Sequence, residues 1–253
     1  HWIEYYEELP STNQRARELA ATSPPEGLLV LAEKQTAGRG RLGRSWFSPA
    51  GAGIWMTLLL KPPVFPPGEL PKVTLLAAAA VARAISAEAE LTPLVKWPND
   101  LYLDNRKIAG VLAETAGKAG SPWEYLLLGI GINVNQVSTD FPGDLRQKAG
   151  SLRLSLGAPV DRGVLLRRCL AVLEEEYVYA CEKGFVRALA YCRQYSFILG
   201  RHVEVRDGDR RYRGKAVAIR DDGRLELLVD EGGKTVGIAA GEVSCLSRTG
   251  KEA

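Results

Sequence analysis

Leu94-Val95-Lys96-Trp97-Pro98-Asn99-Asp100-Leu101-Tyr102-Leu103-Asp104-Asn105-Arg106-Lys107-Ile108-Ala109-Gly110-Val111-Leu112-Ala113-Glu114 carries three short strands in succession. Leu94–Trp97, Asp100–Leu103 and Lys107–Glu114 are the strands, and Pro98-Asn99 and Asp104-Asn105 are turn material. Connections this tight leave no room for a crossover helix, which favours an antiparallel or mixed sheet over βαβ units. Tyr125–Asn133 is a further strongly apolar strand.

Moving toward the N-terminus, Ile3–Leu9 reads as a short strand, Leu28–Glu33 as a compact apolar one and Gly53–Lys61 as a buried one. Between the first two, Ser11 opens a helix as N-cap with Gln14 completing a capping box, and Ala16, Leu19 and Ala20 form its buried stripe. Pro62, Pro63, Pro66 and Pro67 mark a rigid surface connection, and Pro71 opens an alanine-rich helix running to about Ala89. Toward the C-terminus, Asp161 caps a long helix reaching about Cys181, and a second helix follows Gly184. Beyond Phe197 the pattern changes to short strands at Arg201–Arg206, Tyr212–Ile219, Arg224–Val229 and Lys234–Ile238, separated by Asp- and Gly-rich turns. The expected fold class is α+β: a mixed, largely antiparallel sheet with flanking helices in residues 1–197, then a small β-barrel or sandwich in residues 198–253.

Composition narrows the chemistry. With 46% hydrophobic and 25% charged residues, the 253-residue chain has enough apolar material for a substantial core. A net charge of +3 gives no nucleic-acid footprint by charge. Cys169, Cys181, Cys192 and Cys245 form no CxxC pair, and only His1 and His202 are available to join them, which argues against a zinc site. The apolar run Leu75–Ala82 stops at Arg83, and neither a signal peptide nor a bilayer-spanning run is seen, so a cytoplasmic location without membrane attachment is the default expectation.

Basic character is concentrated instead in one loop. Gln35-Thr36-Ala37-Gly38-Arg39-Gly40-Arg41-Leu42-Gly43-Arg44-Ser45-Trp46 sets arginines among glycines between two buried strands. Glycine N–H groups can form a nest for an anion, and arginine adds charge-assisted hydrogen bonds. The run lacks the GK[ST] of a Walker A loop, and no helix opens on it as a dinucleotide fingerprint requires. Lys96, Asn99, Asp100 and Lys107 lie within twelve residues on strands expected to pair. Lysine is a compact charge suited to phosphate or carboxylate, and Asp100 is placed either to hold magnesium or to orient the lysines. The competing reading is a charged surface hairpin; Trp97 beside Pro98 is costly to expose and tilts the balance toward a packed site. The glycines of Gly129-Ile130-Gly131-Ile132-Asn133 let another backbone or a ligand approach the strand closely, and a bulge or a tightly packed strand fits the motif equally well. In Ser11-Thr12-Asn13, helix capping accounts for Ser11 but does not require Thr12 or Asn13.

Taken together, Ser11-Thr12-Asn13, the Gln35–Trp46 loop, Lys96-Trp97-Pro98-Asn99-Asp100, Lys107-Ile108-Ala109-Gly110, Gly129–Asn133 and the tail Gly241-Glu242-Val243 closely resemble biotin protein ligase. The resemblance spans essentially the whole chain and implies a class II synthetase-like catalytic domain with an SH3-like C-terminal domain. It implies that biotin and Mg-ATP react to biotinyl-5′-AMP, and that the biotinyl group passes to a lysine of a biotin carboxyl carrier protein domain. On that resemblance, biotin is bound by Ser11, Thr12, Asn13, Gln35, Arg39, Gly40, Arg41, Trp46, Lys107 and Gly110. ATP or the adenylate is met by Gly38, Arg39, Arg41, Arg44, Lys96, Asn99, Asp100 and Asn133, with Lys107, Arg41 and Asp100 as catalytic groups. On the same resemblance magnesium arrives with ATP, with Asp100 as its candidate protein contact, and no protein-only metal site is expected. Leu42 stands where the family often has another arginine.

Two alternatives share these features. Lipoate–protein ligases resemble the same fold but usually lack the arginine-rich loop. Some biotin ligases are also repressors with an N-terminal helix-turn-helix; ten residues precede Ser11, too few for such a module, so no nucleic-acid binding is expected. A homodimer through the large domain is implied by the resemblance alone.

Overall fold

The structure, a computed structural model, describes residues 2–61, 65, 67–117 and 124–246. Its elements in chain order are β1 (Ile3–Leu9), α1 (Thr12–Ala20), β2 (Leu28–Gln35), β3 (Gly53–Leu60), α2 (Leu70–Ala89), β4 (Leu94–Lys96), β5 (Asp100–Leu103), β6 (Arg106–Ala116), β7 (Tyr125–Asn133), α3 (Leu152–Leu156), α4 (Arg162–Lys183), α5 (Val186–Gln194), β8 (His202–Asp207), β9 (Arg210–Ile219), β10 (Leu225–Val229), β11 (Thr235–Ile238) and β12 (Glu242–Cys245). Pro62, Pro63 and Pro66 of the proline-rich connection lie outside the described residues.

Seven strands form one sheet in the order β1-β2-β3-β7-β6-β5-β4. Only β1 and β2 pair in parallel, across α1; every other neighbour is antiparallel. The β5–β6 connection is a two-residue turn, with Asp104 and Asn105 both at positive φ (50° and 60°) and Leu103 opposite Arg106. Left-handed residues at both positions match the twist of the flanking strands, and Asp and Asn tolerate that conformation better than most.

Period-two alternation gives the sheet two different faces. Leu29, Met56, Val111, Leu128, Ile130 and Ile132 turn to one side and join a large core with α2, α4 and α5. The alanine run of α2 is buried from Leu75 to Ala82, and such small side chains let a helix sit close against its neighbours. This helix is long and apolar enough to cross a membrane by length and composition, but most of that length is buried in the fold. Leu28, Val30, Leu59 and Leu127 turn to the other side, where α1 covers them with Ala16, Leu19 and Ala20.

Helix α1 starts where expected but without the expected cap. Ser11 is buried and makes no side-chain cap hydrogen bond, and exposed Gln14 turns to Glu18. Asp161 does cap α4, accepting from the N–H groups of Gly163 and Val164. The short helix α3 and strand β12 are additions that the sequence reading did not anticipate.

Strands β8–β12 form a five-stranded antiparallel sheet in the order β11-β10-β9-β8-β12. Val203, Val205, Ala216, Ile219 and Leu225 from it belong to the same continuous core as Trp97 and α2. The indole of Trp97, 1% exposed, donates to the carbonyl of Gly223 at 2.9 Å. Trp97 is therefore buried to join the two sheets.

Candidate active site

On the α1 side of the seven-stranded sheet, three glycines on adjacent strands line up. Gly110 lies opposite Gly131, and Gly129 follows two residues along on the same face. The resulting trough is filled from above. A Cβ at Gly131 would collide with the Trp46 indole nitrogen, and one at Gly129 with the amide of Asn13. Of the readings open for this motif, the tightly packed strand is the one seen, with the side chains of Trp46 and Asn13 doing the packing. The Trp46 Nε1 is itself buried without a hydrogen-bond partner.

A β-bulge decides which way Lys107 faces. Asp100 pairs with Gly110 and Leu101 with Ala109, but Tyr102 then pairs with Lys107 in place of Ile108. The extra residue rotates Lys107 onto the face that already carries Asp100 and Gly110. Its Nζ lies 2.7 Å from Asp100 Oδ1 and 5.1 Å from the centroid of the Trp46 ring. Lys96, opposite Asp100, donates to the Tyr102 hydroxyl at 3.2 Å. Burial pulls the Lys96 ammonium below the ordinary lysine range, against the opposing pull of Asp100. Burial also raises the Tyr102 hydroxyl.

The arginine-rich segment folds as a small hairpin. Trp46 N–H donates to the Gly38 carbonyl, Arg39 bridges to Ser45, and Gly40 N–H donates to the Arg44 carbonyl. Leu42 and Gly43 at its tip both have positive φ. The expected glycine nest is therefore not formed by Gly40, whose N–H is spent inside the hairpin. Positive charge is delivered by side chains instead. Arg39 pairs with Glu114 of β6 at 3.2 Å, Arg41 donates to Asn99 Oδ1 at 2.9 Å, and Arg44 pairs with Glu242 of β12. Burial lowers the Arg41 guanidinium from its usual value, opposed by Asp100 and Glu242. Asn99 is anchored from below, its amide donating to the Val111 carbonyl.

A polar network closes the far end of the trough. Gln35 Oε1 accepts from the backbone N–H of Thr12 at 2.8 Å and from its hydroxyl at 3.1 Å, while Gln35 Nε2 donates to Ser48 Oγ. Thr57 Oγ1 lies 2.9 Å from Thr12 Oγ1 and 2.7 Å from Asn13 Oδ1. Ser11, Thr12 and Asn13 are all buried here.

Thus Thr12, Asn13, Gln35, Gly38, Arg39, Gly40, Arg41, Trp46, Lys96, Asn99, Asp100, Lys107 and Gly110 converge on one face, with Arg44 tied to the C-terminal sheet. Asn133 is placed differently. Its Nδ2 donates to the Gly150 carbonyl and its Oδ1 accepts from Gln136, so both ends of the amide serve the following loop. The sequence assigned Thr57 and Glu114 no site role, and Glu242 only a place in the tail that carries the resemblance. The signal available was that Thr57 and Glu114 interrupt apolar strands on one face. Among the described residues, no group of three or more His, Cys, Asp or Glu is placed to hold a metal.

This arrangement can be set beside known proteins. The profile of the biotin/lipoate A/B protein ligase family matches residues 5–133, and that of the biotin protein ligase C-terminal domain matches residues 198–246. The chain belongs to this family. The bifunctional ligase/repressor BirA of Bacillus subtilis is 38% identical over 232 residues, 92% of this chain and 71% of the relative. The biotin–[acetyl-CoA-carboxylase] ligase of Mycobacterium tuberculosis is 34% identical over 222 residues, 86% of this chain and 79% of the relative. Among solved structures, the Aquifex aeolicus biotin protein ligase in complex with biotin and ATP superposes with a TM-score of 0.84 at 31% identity, covering 96% of this chain and 98% of that one. The resemblance drawn from the sequence motifs and the expected α+β architecture with an SH3-like tail both hold.

Proposed function

We infer that this chain is an ATP-dependent biotin–protein ligase. A biotin carboxylate oxygen attacks the α-phosphorus of ATP, pyrophosphate leaves, and biotinyl-5′-AMP results. The ε-amine of an acceptor lysine then attacks the acyl carbon and AMP leaves. The observation that carries this reading is the convergence of Lys107, Arg41 and Trp46 over a glycine-floored trough whose far end is the Thr12–Gln35–Asn13 network.

The first step brings the carboxylate and phosphate charges together, so positioned cations are what it needs most. Lys107 bridges carboxylate and α-phosphate in this assignment, held in place by Asp100 before substrate arrives. Arg39 and Arg41 cover the adenylate from the hairpin, and Lys96 and Arg44 meet the remaining phosphates. Thr12, Asn13 and Gln35 supply donors and acceptors for the ureido ring, and Trp46 walls the acyl chain. A mixed anhydride hydrolyses readily, and a hairpin closed over it excludes water.

Magnesium enters with the nucleotide. The donor set does not fit a protein-held ion: the carboxylate of Asp100 already faces Lys107, and the described residues offer no three-ligand cluster. We assign the chemistry to residues 1–197 and an accessory role to residues 198–253, of which residues 247–253 lie outside the described residues. The acceptor is a carrier domain of a biotin-dependent carboxylase, and the need for ATP supports a cytoplasmic setting.

Incubation with biotin, Mg-ATP and a carrier domain tests the proposal. A carrier mass increase equal to one biotinyl group, with pyrophosphate released by biotin and not by lipoate, is the expected result. Pyrophosphate release driven by lipoate would favour the other branch of the family.

A further inference from the structure

Glu114 has its two carboxylate oxygens engaged on different sides. Oε2 accepts from Asn13 Nδ2 at 2.9 Å, inside the trough. Oε1 faces outward, 3.2 Å from Arg39 Nη2 of the hairpin and 3.4 Å from Arg17 Nη2 of α1. Its side chain is 18% exposed. It stands on β6 on the same face as Gly110, so the rigid sheet fixes where both oxygens point.

We propose that Glu114 is a positioning residue that couples recognition of the biotin ring to closure of the arginine hairpin. The inference rests on the ligase reading above. An ionised carboxylate only accepts, so the amide of Asn13 must turn its NH2 toward Glu114 and its carbonyl toward Thr57. Thr57 has one proton, and the 2.7 Å contact to Asn13 Oδ1 takes it, since an amide oxygen cannot return the bond. Asn13 is thereby left with one N–H and one lone pair in a single orientation. Without Glu114 the amide is free to flip and would present the reverse pattern to a ureido group. The other oxygen holds Arg39 directly above. Seating of the ring and seating of the hairpin thus share one carboxylate, and charge-assisted bonds on both sides make that link stiff.

Two variants separate the halves. Glu114→Gln keeps an acceptor oxygen for Asn13 but turns an amide NH2 toward Arg39 and Arg17. Glu114→Ala removes both bonds. In Glu114→Ala the KM for biotin should rise on the order of ten- to hundredfold, the scale of a lost bond to a charged group, with the KM for ATP changing little. In Glu114→Gln the biotin KM should stay near that of the parent. Both variants should release biotinyl-AMP faster, and both should be cut faster by trypsin after Arg39 or Arg41 in the ligand-free protein. A purely structural role would lower thermal stability and scale all rates together, leaving both KM values unchanged; that pattern overturns the proposal, as does a biotin KM raised equally in both variants. The trypsin measurement needs no substrate. Faster cleavage in a protein that forms no adenylate would sink the ligase reading and leave the Glu114 tether standing. Unchanged cleavage in a protein that does form adenylate would sink the tether alone.

Discussion

The two faces of the seven-stranded sheet are built on opposite rules. On the side of α2 the strands are packed with apolar side chains: Ile54, Met56, Leu128, Ile130 and Ile132 belong to one core with a helix of alanines. On the side of α1 the same strands carry Gly110, Gly129, Gly131, Thr57 and Glu114, and the volume those glycines leave is taken by Trp46 and Asn13. The first face gains from burying apolar area. The second spends part of that gain on shape and on polar groups that must each find a partner. What the contrast teaches is that adjacent residues on one strand, such as Ile130 and Gly131, answer to different demands: one to the apolar core, the other to the close approach of Trp46.

The sharpest way to break this division is at Lys107. Lys107→Ala should lower single-turnover biotinyl-AMP formation about 100- to 1,000-fold, the scale of removing a positioned electrostatic group, while circular dichroism and Tm stay near the parent values. Unfolding of the variant would mean that the lysine belongs to the stabilising face after all. Arg41→Ala comes next. Its guanidinium is half-buried and reaches Asn99, so its loss should speed dissociation of bound biotinyl-AMP roughly tenfold, the cost of one hydrogen bond to a charged group. An unchanged release rate, measured by rapid dilution into excess unlabelled ligand, would remove the hairpin from the adenylate. On the opposite face, Ile85→Val should cost about 0.5–1.5 kcal/mol in denaturant unfolding, with adenylation per folded molecule unaltered. A fall in turnover matching that of Arg41→Ala would dissolve the distinction between the faces.

Much of the filled face was legible from the sequence, because apolar runs bounded by turn residues specify strands directly. Asp104-Asn105 marked its turn to the residue, and Asp161 marked the start of α4. The site was legible in its residue types but not in its orientation. That Lys107 faces Asp100 depends on a bulge, and nothing in Arg106-Lys107-Ile108 announces one. Alternation could not say which face of β7 would bear the trough, and Asn133 was read toward the nucleotide although its amide holds Gly150 and Gln136. Ser11 illustrates the same limit. Its sequence signature is a capping box, yet the side chain is buried and makes no cap hydrogen bond. Glu242 was out of reach for a different reason: its partner Arg44 is 198 residues away, and no periodicity links them.

The smallest expected effect lies where the two sheets meet the lysines. Lys96 is half-buried, and the groups around it are Asp100 and Tyr102 from β5, Lys107 from β6, and Glu242 and Cys245 from β12. Burial dominates, so its folded-state pKa lies below the ordinary value of 10.5. Between those two values the unfolded chain binds more protons than the folded one, and stability therefore rises with pH across that window. Lys96→Met should flatten the rise, a difference readable in urea unfolding at a series of alkaline pH values. Binding of an anionic nucleotide acts in the opposite sense. Phosphate oxygens beside the ammonium favour its charged form and raise its pKa, so nucleotide binding in the same window should take up a fraction of a proton. Titration calorimetry in buffers of different ionisation enthalpy measures that fraction, and Lys96→Met should abolish it. Equal proton uptake by the parent and the variant would place the triphosphate away from Lys96 and return this lysine to the stabilising side of the comparison.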